Sequence, residues 1–230
     1  MTAEYPRLSK RLAAAADFVR EGKTAADVAC DHGKLSAFLL GSGKTPFIYA
    51  TDIKKQPLKK AEELLASLGM ESRSRCLLTD GLHGVPGNEV DDVIMAGIGG
   101  DLTARIISEA PWLKDSRKHL VLVPASKHER LRTYLAENGF LVKAERAVFE
   151  AGHVYTVMSV SYDGAKRQLG VTERWLGKID AGSPDGKRYY DEVCRRMNTV
   201  CCAVKDENNE RLLEARAFLK ENSDDRNSGT

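Results

Sequence analysis

Two strand-like runs in this chain end on acids, and the turn after the first carries another. Thr24–Cys30 is a short apolar segment that includes Asp27 and Ala29; it passes through Asp31-His32-Gly33 into a helix-like stretch at Lys34–Leu40. Phe47–Asp52 is a second such run, closed by Asp52 and followed by Ile53. A phosphate-binding turn needs several glycines, because backbone N–H groups at a helix N-terminus must approach an anion. Here the turn offers only Gly33, with carboxylates at Asp27 and Asp31. Carboxylates repel pyrophosphate and suit a ligand with cationic groups and ribose hydroxyls. S-adenosylmethionine (SAM), with a sulfonium and an ammonium, is such a ligand, and methyl transfer is the chemistry it brings. Asp52 stands where an acid accepts hydrogen bonds from both ribose hydroxyls of an adenosine, as in dinucleotide-binding folds; the same place also suits a helix cap.

Two further segments fit this site. Asp80-Gly81-Leu82 follows the third strand-like run. There an acid accepts from an adenine amino group and Leu82 offers an apolar face, although Asp-Gly is turn chemistry in any fold. Val93-Ile94-Met95-Ala96 opens into Gly97-Ile98-Gly99-Gly100, where three glycines let backbone approach a ligand and leave room for a base beside a methyl donor. Ala96 and Gly97 are read toward the cofactor, Gly99 and Gly100 toward the substrate.

The elements that must hold these residues alternate. Leu8–Val19 reads as an alanine-rich amphipathic helix, and strands are expected at Thr24–Cys30, Phe47–Asp52, Arg73–Leu78, Asp92–Ala96 and His119–Pro124. Helices are expected at Lys34–Leu40, Pro57–Leu68, Asp101–Ala110 and Lys127–Asn138. Such alternation signals a parallel sheet covered on both faces. Phe140–Glu150 and His153–Tyr162 then read as two strands joined by Ala151-Gly152, with no room for a helix between them. Five α/β units closed by a hairpin fit a seven-stranded methyltransferase sheet better than the two halves of a nicotinamide dehydrogenase. The division expected is 1–163 for this domain, 164–222 for a coiled-coil-like helical hairpin broken at Gly182–Gly186, and 223–230 for a disordered tail. Tyr190, Val193, Met197, Val200 and Val204 form a heptad-like seam.

Composition sets bounds. With 35 Lys and Arg against 33 Asp and Glu, the formal net charge is +2, which permits a nucleic-acid partner without demanding one. The first residues lack a signal-peptide pattern and the apolar runs are strand-length, so a cytoplasmic protein without a membrane span is expected. Five cysteines without CxxC spacing point to reduced thiols and no metal.

Leu8-Ser9-Lys10-Arg11-Leu12, Ala26–His32, Asp80-Gly81-Leu82 and Ala96–Gly100 together resemble the bacterial TrmK family. The resemblance covers about Leu8–Val160 with clear motifs and the tail only in its helical character. It implies a Rossmann-like class I fold with a C-terminal helical hairpin, SAM as cofactor, and methylation of adenine N1 in tRNA, at adenine 22. It implies a catalytic role for Asp31 and a cofactor-lining role for Asp27 and Asp80. His32 and Gly33 belong to the same loop, and Arg11 is read toward the substrate. The chain departs from the family at three points: Ala29 replaces Gly, Ile98 replaces Met, and Val123-Pro124-Ala125 replaces Gln-Pro-Asn. Ser126 is the residue that could substitute for the missing amide. A weakened SAM- and RNA-binding homologue, or a methyltransferase with another substrate, are the rival readings. Lys54, Lys55, Lys59, Lys60, Lys127, Arg130 and Arg132 are of a type to track RNA phosphates, although most charged helix faces are simply solvated. On the hairpin, Arg167, Arg174, Lys178, Lys187, Arg188, Arg195 and Arg196 are expected to grip RNA phosphates, the competing reading being a dimerisation arm. A monomer or weak homodimer is expected.

Overall fold

The computed structural model describes residues 5–224. Helix α1 (Lys10–Phe18) precedes β1 (Ala25–Val28), α2 (Lys34–Gly41), β2 (Ile48–Asp52), α3 (Lys55–Ser67), β3 (Ser74–Leu78), β4 (Asp92–Ala96), α4 (Gly100–Glu109), β5 (His119–Val123) and α5 (His128–Glu137). A long antiparallel pair follows, β6 (Phe140–Glu150) and β7 (His153–Tyr162). The seven strands lie in the order β3-β2-β1-β4-β5-β7-β6, with β7 antiparallel to β5 and the first five parallel. The strand order reverses between β1 and β4, and such a switch point opens a crevice beyond the carboxyl ends of the strands. Asp27 pairs with Ala50 on one side and Ile94 on the other, so it sits at the centre of that opening.

Strands β1, β2 and β5 are buried along their whole length, as parallel strands covered by helices on both faces must be. Two apolar clusters result, one on each face. Val28, Val93, Met95, Ile106 and Leu131 belong to one; Ala15, Leu39, Ile48, Ile94 and Val121 belong to the other. No described helix is long and apolar enough to cross a membrane.

The C-terminal region departs from expectation. It holds three helices, α6 (Val171–Leu176), α7 (Pro184–Ala203) and α8 (Glu210–Asp224), and the long antiparallel pair is α7 with α8. The chain reverses at residues 204–209, not at Gly182–Gly186. The latter segment starts α7: Pro184 takes the first turn, and the Ser183 hydroxyl accepts from the Gly186 amide at 3.1 Å. Gly186 is required there because a Cβ would stand 1.9 Å from the Asp180 carbonyl oxygen. The reversal itself is built on Asx turns, in which Asp206 accepts from the Asn208 amide and Asn209 from the Arg211 amide. Val193 and Met197 of the seam pack against Ala215 and Phe218 inside the hairpin, joined by Tyr189, the neighbour of the expected Tyr190. Ser223 and Asp224 are helical, and Asn222 is buried with its amide donating to the Phe218 carbonyl, so residues 223 and 224 belong to α8 and not to the expected tail. Residues 225–230 of that tail lie outside the described residues.

The third cluster is shared: Ala147 of β6 and Val154 of β7 join Trp175, Tyr189, Phe218 and their neighbours. Its polar centre is Arg132, one of the basic residues read as surface charges open to solvent or RNA, and the structure corrects that reading. The guanidinium is 1 % exposed and pairs at 2.8 Å with Glu145, itself 0 % exposed. It also donates to the carbonyls of Arg174 and Trp175 and to the Tyr189 hydroxyl. An amphipathic period cannot distinguish an exposed arginine from one covered by a later segment.

Candidate active site

Asp27 is 3 % exposed. One of its oxygens accepts from the Ser36 hydroxyl at 2.7 Å, and no described cation pairs with it. Burial pushes its carboxyl from the ordinary 3.8 up to about 6, against the Ser36 hydrogen bonds and with some help from the Asp52 charge. After β1 the backbone is contorted: Ala29 and Asp31 adopt φ of +56° and +52°, left-handed values that favour glycine. This turn is stapled to β2. The Cys30 amide donates to the Thr51 carbonyl, and the Asp31 amide donates to an Asp52 oxygen at 3.2 Å. The other Asp52 oxygen accepts from the Lys54 amide at 2.8 Å. Asp52 therefore orders both loops while keeping lone pairs for a further donor. The Asp31 side chain is 71 % exposed, with His32 Nδ1 at 3.1 Å from its Oδ2.

Two cavities flank the end of β4. The smaller, about 110 Å³, is lined by Arg11, Asp27, Ala29, Asp31, His32 and Ala96, among others. It is below the size of a whole small-molecule pocket, about 300–1,000 Å³, and has room for only one end of such a ligand. The larger, about 550 Å³, lies between the β4 and β5 loops and the C-terminal helices; Gly97, Ser126, Tyr155, Trp175 and Tyr189 are in its wall. Arg11 borders both cavities. Its guanidinium sits 4.8 Å from the centre of the Tyr155 ring and 3.8 Å from a Glu150 oxygen.

Several expected roles shift. Leu82 is buried in the core at 6 % exposure, so its side chain offers no face to a ligand. Ile53, 66 % exposed just past Asp52, is the apolar surface at that place. Asp80 is held by both oxygens to Arg105 at 2.9 and 3.0 Å, which keeps its carboxyl below its ordinary range. Gly33 lies where a Cβ would be 2.8 Å from that of Ala61, so it allows α2 to approach α3. Gly81 has φ +61° with Ile106 close by. Gly100 is buried beneath the Lys127 carbonyl, 2.4 Å from where a Cβ would be, and its amide donates to the Ser126 carbonyl. Gly100 therefore joins two loops rather than facing a substrate. Gly99 lies beside the Ser126 hydroxyl. Arg105, His128, Tyr155, Trp175 and Tyr189 were not anticipated. Arg105 shows in the sequence only as a helical partner of Glu109, and the others converge from distant segments.

A family model for a methyltransferase domain matches residues 8–158. The chain belongs to the methyltransferase-domain family. Among its relatives, the tRNA (adenine(22)-N(1))-methyltransferase of Bacillus subtilis is 26 % identical over 172 residues, 72 % of each chain. Sp1610 of Streptococcus pneumoniae, solved in complex with S-adenosyl-L-methionine, is 25 % identical with a TM-score of 0.81, over 93 % of this chain and 99 % of its own. TrmK of M. capricolum, solved with S-adenosyl-homocysteine, shares the fold at 20 % identity and a TM-score of 0.78, over 94 % and 96 % of the two chains. The likeness to TrmK expected from the motifs is borne out. In this methyltransferase it extends beyond the matched domain into the C-terminal helices.

Proposed function

We propose that this methyltransferase uses SAM to methylate N1 of an adenine in tRNA, adenine 22. The observation that carries the reading is the meeting of two unlike cavities at Ala96-Gly97: a small one with the buried Asp27 carboxylate in its wall, which suits a cation, and an aromatic-walled one with room for a nucleoside. The residues present fit SAM, because Asp27 is a buried carboxylate with no cation partner among the described residues. An ammonium supplies that partner. Asp52 takes the ribose hydroxyls and Ile53 lies against the adenine. When bound, SAM supplies an electrophilic methyl group.

The chain has little covalent work to do. Adenine N1 already carries a lone pair, so catalysis is in-line positioning plus stabilisation of the positive charge that moves onto the ring. Asp31, exposed at the rim with His32 beside it, supplies a negative charge for that purpose and can accept a proton from the N6 amino group afterwards. N1 lies on the pairing edge, so the adenine must be unpaired or extruded. The B. subtilis relative, named for tRNA adenine-22 N1 methylation, supports the substrate. Mass spectrometry of nucleosides from tRNA incubated with protein and SAM tests it: 1-methyladenosine at position 22 is expected, and its absence in a preparation that binds SAM overturns the substrate.

A further inference from the structure

We infer that a groove between α5 and the α7–α8 pair binds the unpaired RNA strand flanking the target adenine, an inference that rests on the tRNA reading above. The groove encloses about 750 Å³ and is walled by four helical elements, with Arg130 from α5, Arg174 and Trp175 from α6, Arg196 from α7 and Arg211 from α8. It shares Lys127, Glu129, Trp175 and Arg196 with the larger cavity at the active site. A strand whose adenine enters the cavity beside Gly97 therefore has a continuous path past Trp175 and out between the helices.

Its chemistry suits single-stranded RNA. Five cationic side chains face three acidic ones, Glu129, Glu137 and Glu214, so the groove carries a net positive charge. Arg174 is matched by Glu214 at 3.0 Å, and Lys127 and Arg130 both reach Asp101. Arg211 is exposed with no ion pair among the described residues. Midway, the exposed Arg196 guanidinium lies 4.7 Å from the centre of the Trp175 ring. Its outer face forms a flat cationic platform on which any base can stack. Trp175, 92 % buried at the wall of both cavities, holds that platform in place.

Exposed charge reversals test the groove without threatening the fold. Arg130→Glu and Arg211→Glu are expected each to weaken tRNA binding about tenfold at moderate salt and to lower the slope of log affinity against log salt by about 1. SAM affinity should stay within about twofold. Arg196→Ala is expected to weaken tRNA binding with a smaller change in that slope, because an arginine that stacks on a base neutralises no phosphate. The parent is titrated in parallel. If the parent methylates tRNA and all three variants keep its affinity and salt slope, the groove is wrong. If Lys187→Glu and Arg188→Glu weaken binding instead, the RNA lies on another face. If the parent binds SAM but no tRNA, the substrate reading falls and the groove with it.

Discussion

Asp27 and Asp31 stand four positions apart and have opposite surroundings, which separates their roles. Asp31 is exposed at the rim beside His32, so replacing it should act on turnover. Asp31→Asn is expected to leave SAM affinity nearly unchanged and to lower the methylation rate by about 10²-fold, the scale of losing one electrostatic partner of a transition state; parental turnover in that variant would remove the role. Asp27 is the buried one, and its carboxyl titrates at about 6 instead of 3.8. The raised value means that the folded state holds the proton more tightly, so Asp27 stabilises the fold at low pH and that contribution fades as pH rises from about 4 to about 6. His128 has the opposite sign: burial beside Arg132 lowers its imidazole from 6.5 to about 4, so its contribution is present above 6.5 and fades as pH falls toward 4. The two offset each other in stability. Cofactor affinity is the cleaner readout, because the proposed site pairs the ligand's cation with ionised Asp27. SAM affinity measured by calorimetry is expected to rise with pH through about 6 and to level off above about 7; a flat profile would remove Asp27 from the cation site. Ala29 offers a further test. Its left-handed φ of +56° costs roughly 1 kcal/mol relative to glycine, so Ala29→Gly is expected to raise stability in urea denaturation by up to that amount.

At the level of elements, the Arg132–Glu145 pair joins α5, β6, α6 and α7. Glu145 accepts from Arg132 Nη2 at 2.8 Å and from the Lys178 amide at 2.8 Å. Gly177 makes the room: it has φ +60°, and a Cβ there would fall 1.8 Å from a Glu145 oxygen. Tyr189 carries the connection onward to His128, whose Nε2 lies 3.1 Å from the Pro124 carbonyl at the end of β5. Removing one charge of such a pair strands the other in a dry interior. Arg132→Met is therefore expected to destabilise by about 3–5 kcal/mol, and Arg132→Met with Glu145→Leu by clearly less. Urea denaturation checks both, and equal losses in single and double variants would show that the helix carbonyls, not the ion pair, need the arginine.

Across the whole molecule, the third apolar cluster makes the C-terminal helices and the sheet end one packed body. Ala147 and Val154 belong to the cluster, the Phe149 amide donates to Asp185 at 2.9 Å, and Arg188 lies 4.2 Å from the centre of the Phe149 ring. Unfolding is expected to give one calorimetric endotherm, and deletion after Asp163 is expected to lower its midpoint by exposing that cluster and uncovering Arg132. Two separate endotherms in the parent would instead make residues 164–222 an independent unit.

Local chemistry made much of this legible in the sequence. Strand and helix periods placed β6 and β7 at their observed limits and the first five α/β units within a few residues, because half-buried and fully buried elements impose different repeats on the chain. Acids read at strand ends do lie together at the carboxyl end of the sheet, where the Asp31 amide donates to Asp52. What remained hidden depends on which distant segments meet. Whether Arg132 faces water or Glu145, whether Leu82 faces a ligand or the core, and where the helical hairpin turns are decided by burial against residues far along the chain. A side-chain period records that a face is covered, not what covers it. Only the assembled fold brought Trp175, Tyr189 and Arg196 into the wall of one cavity with Gly97.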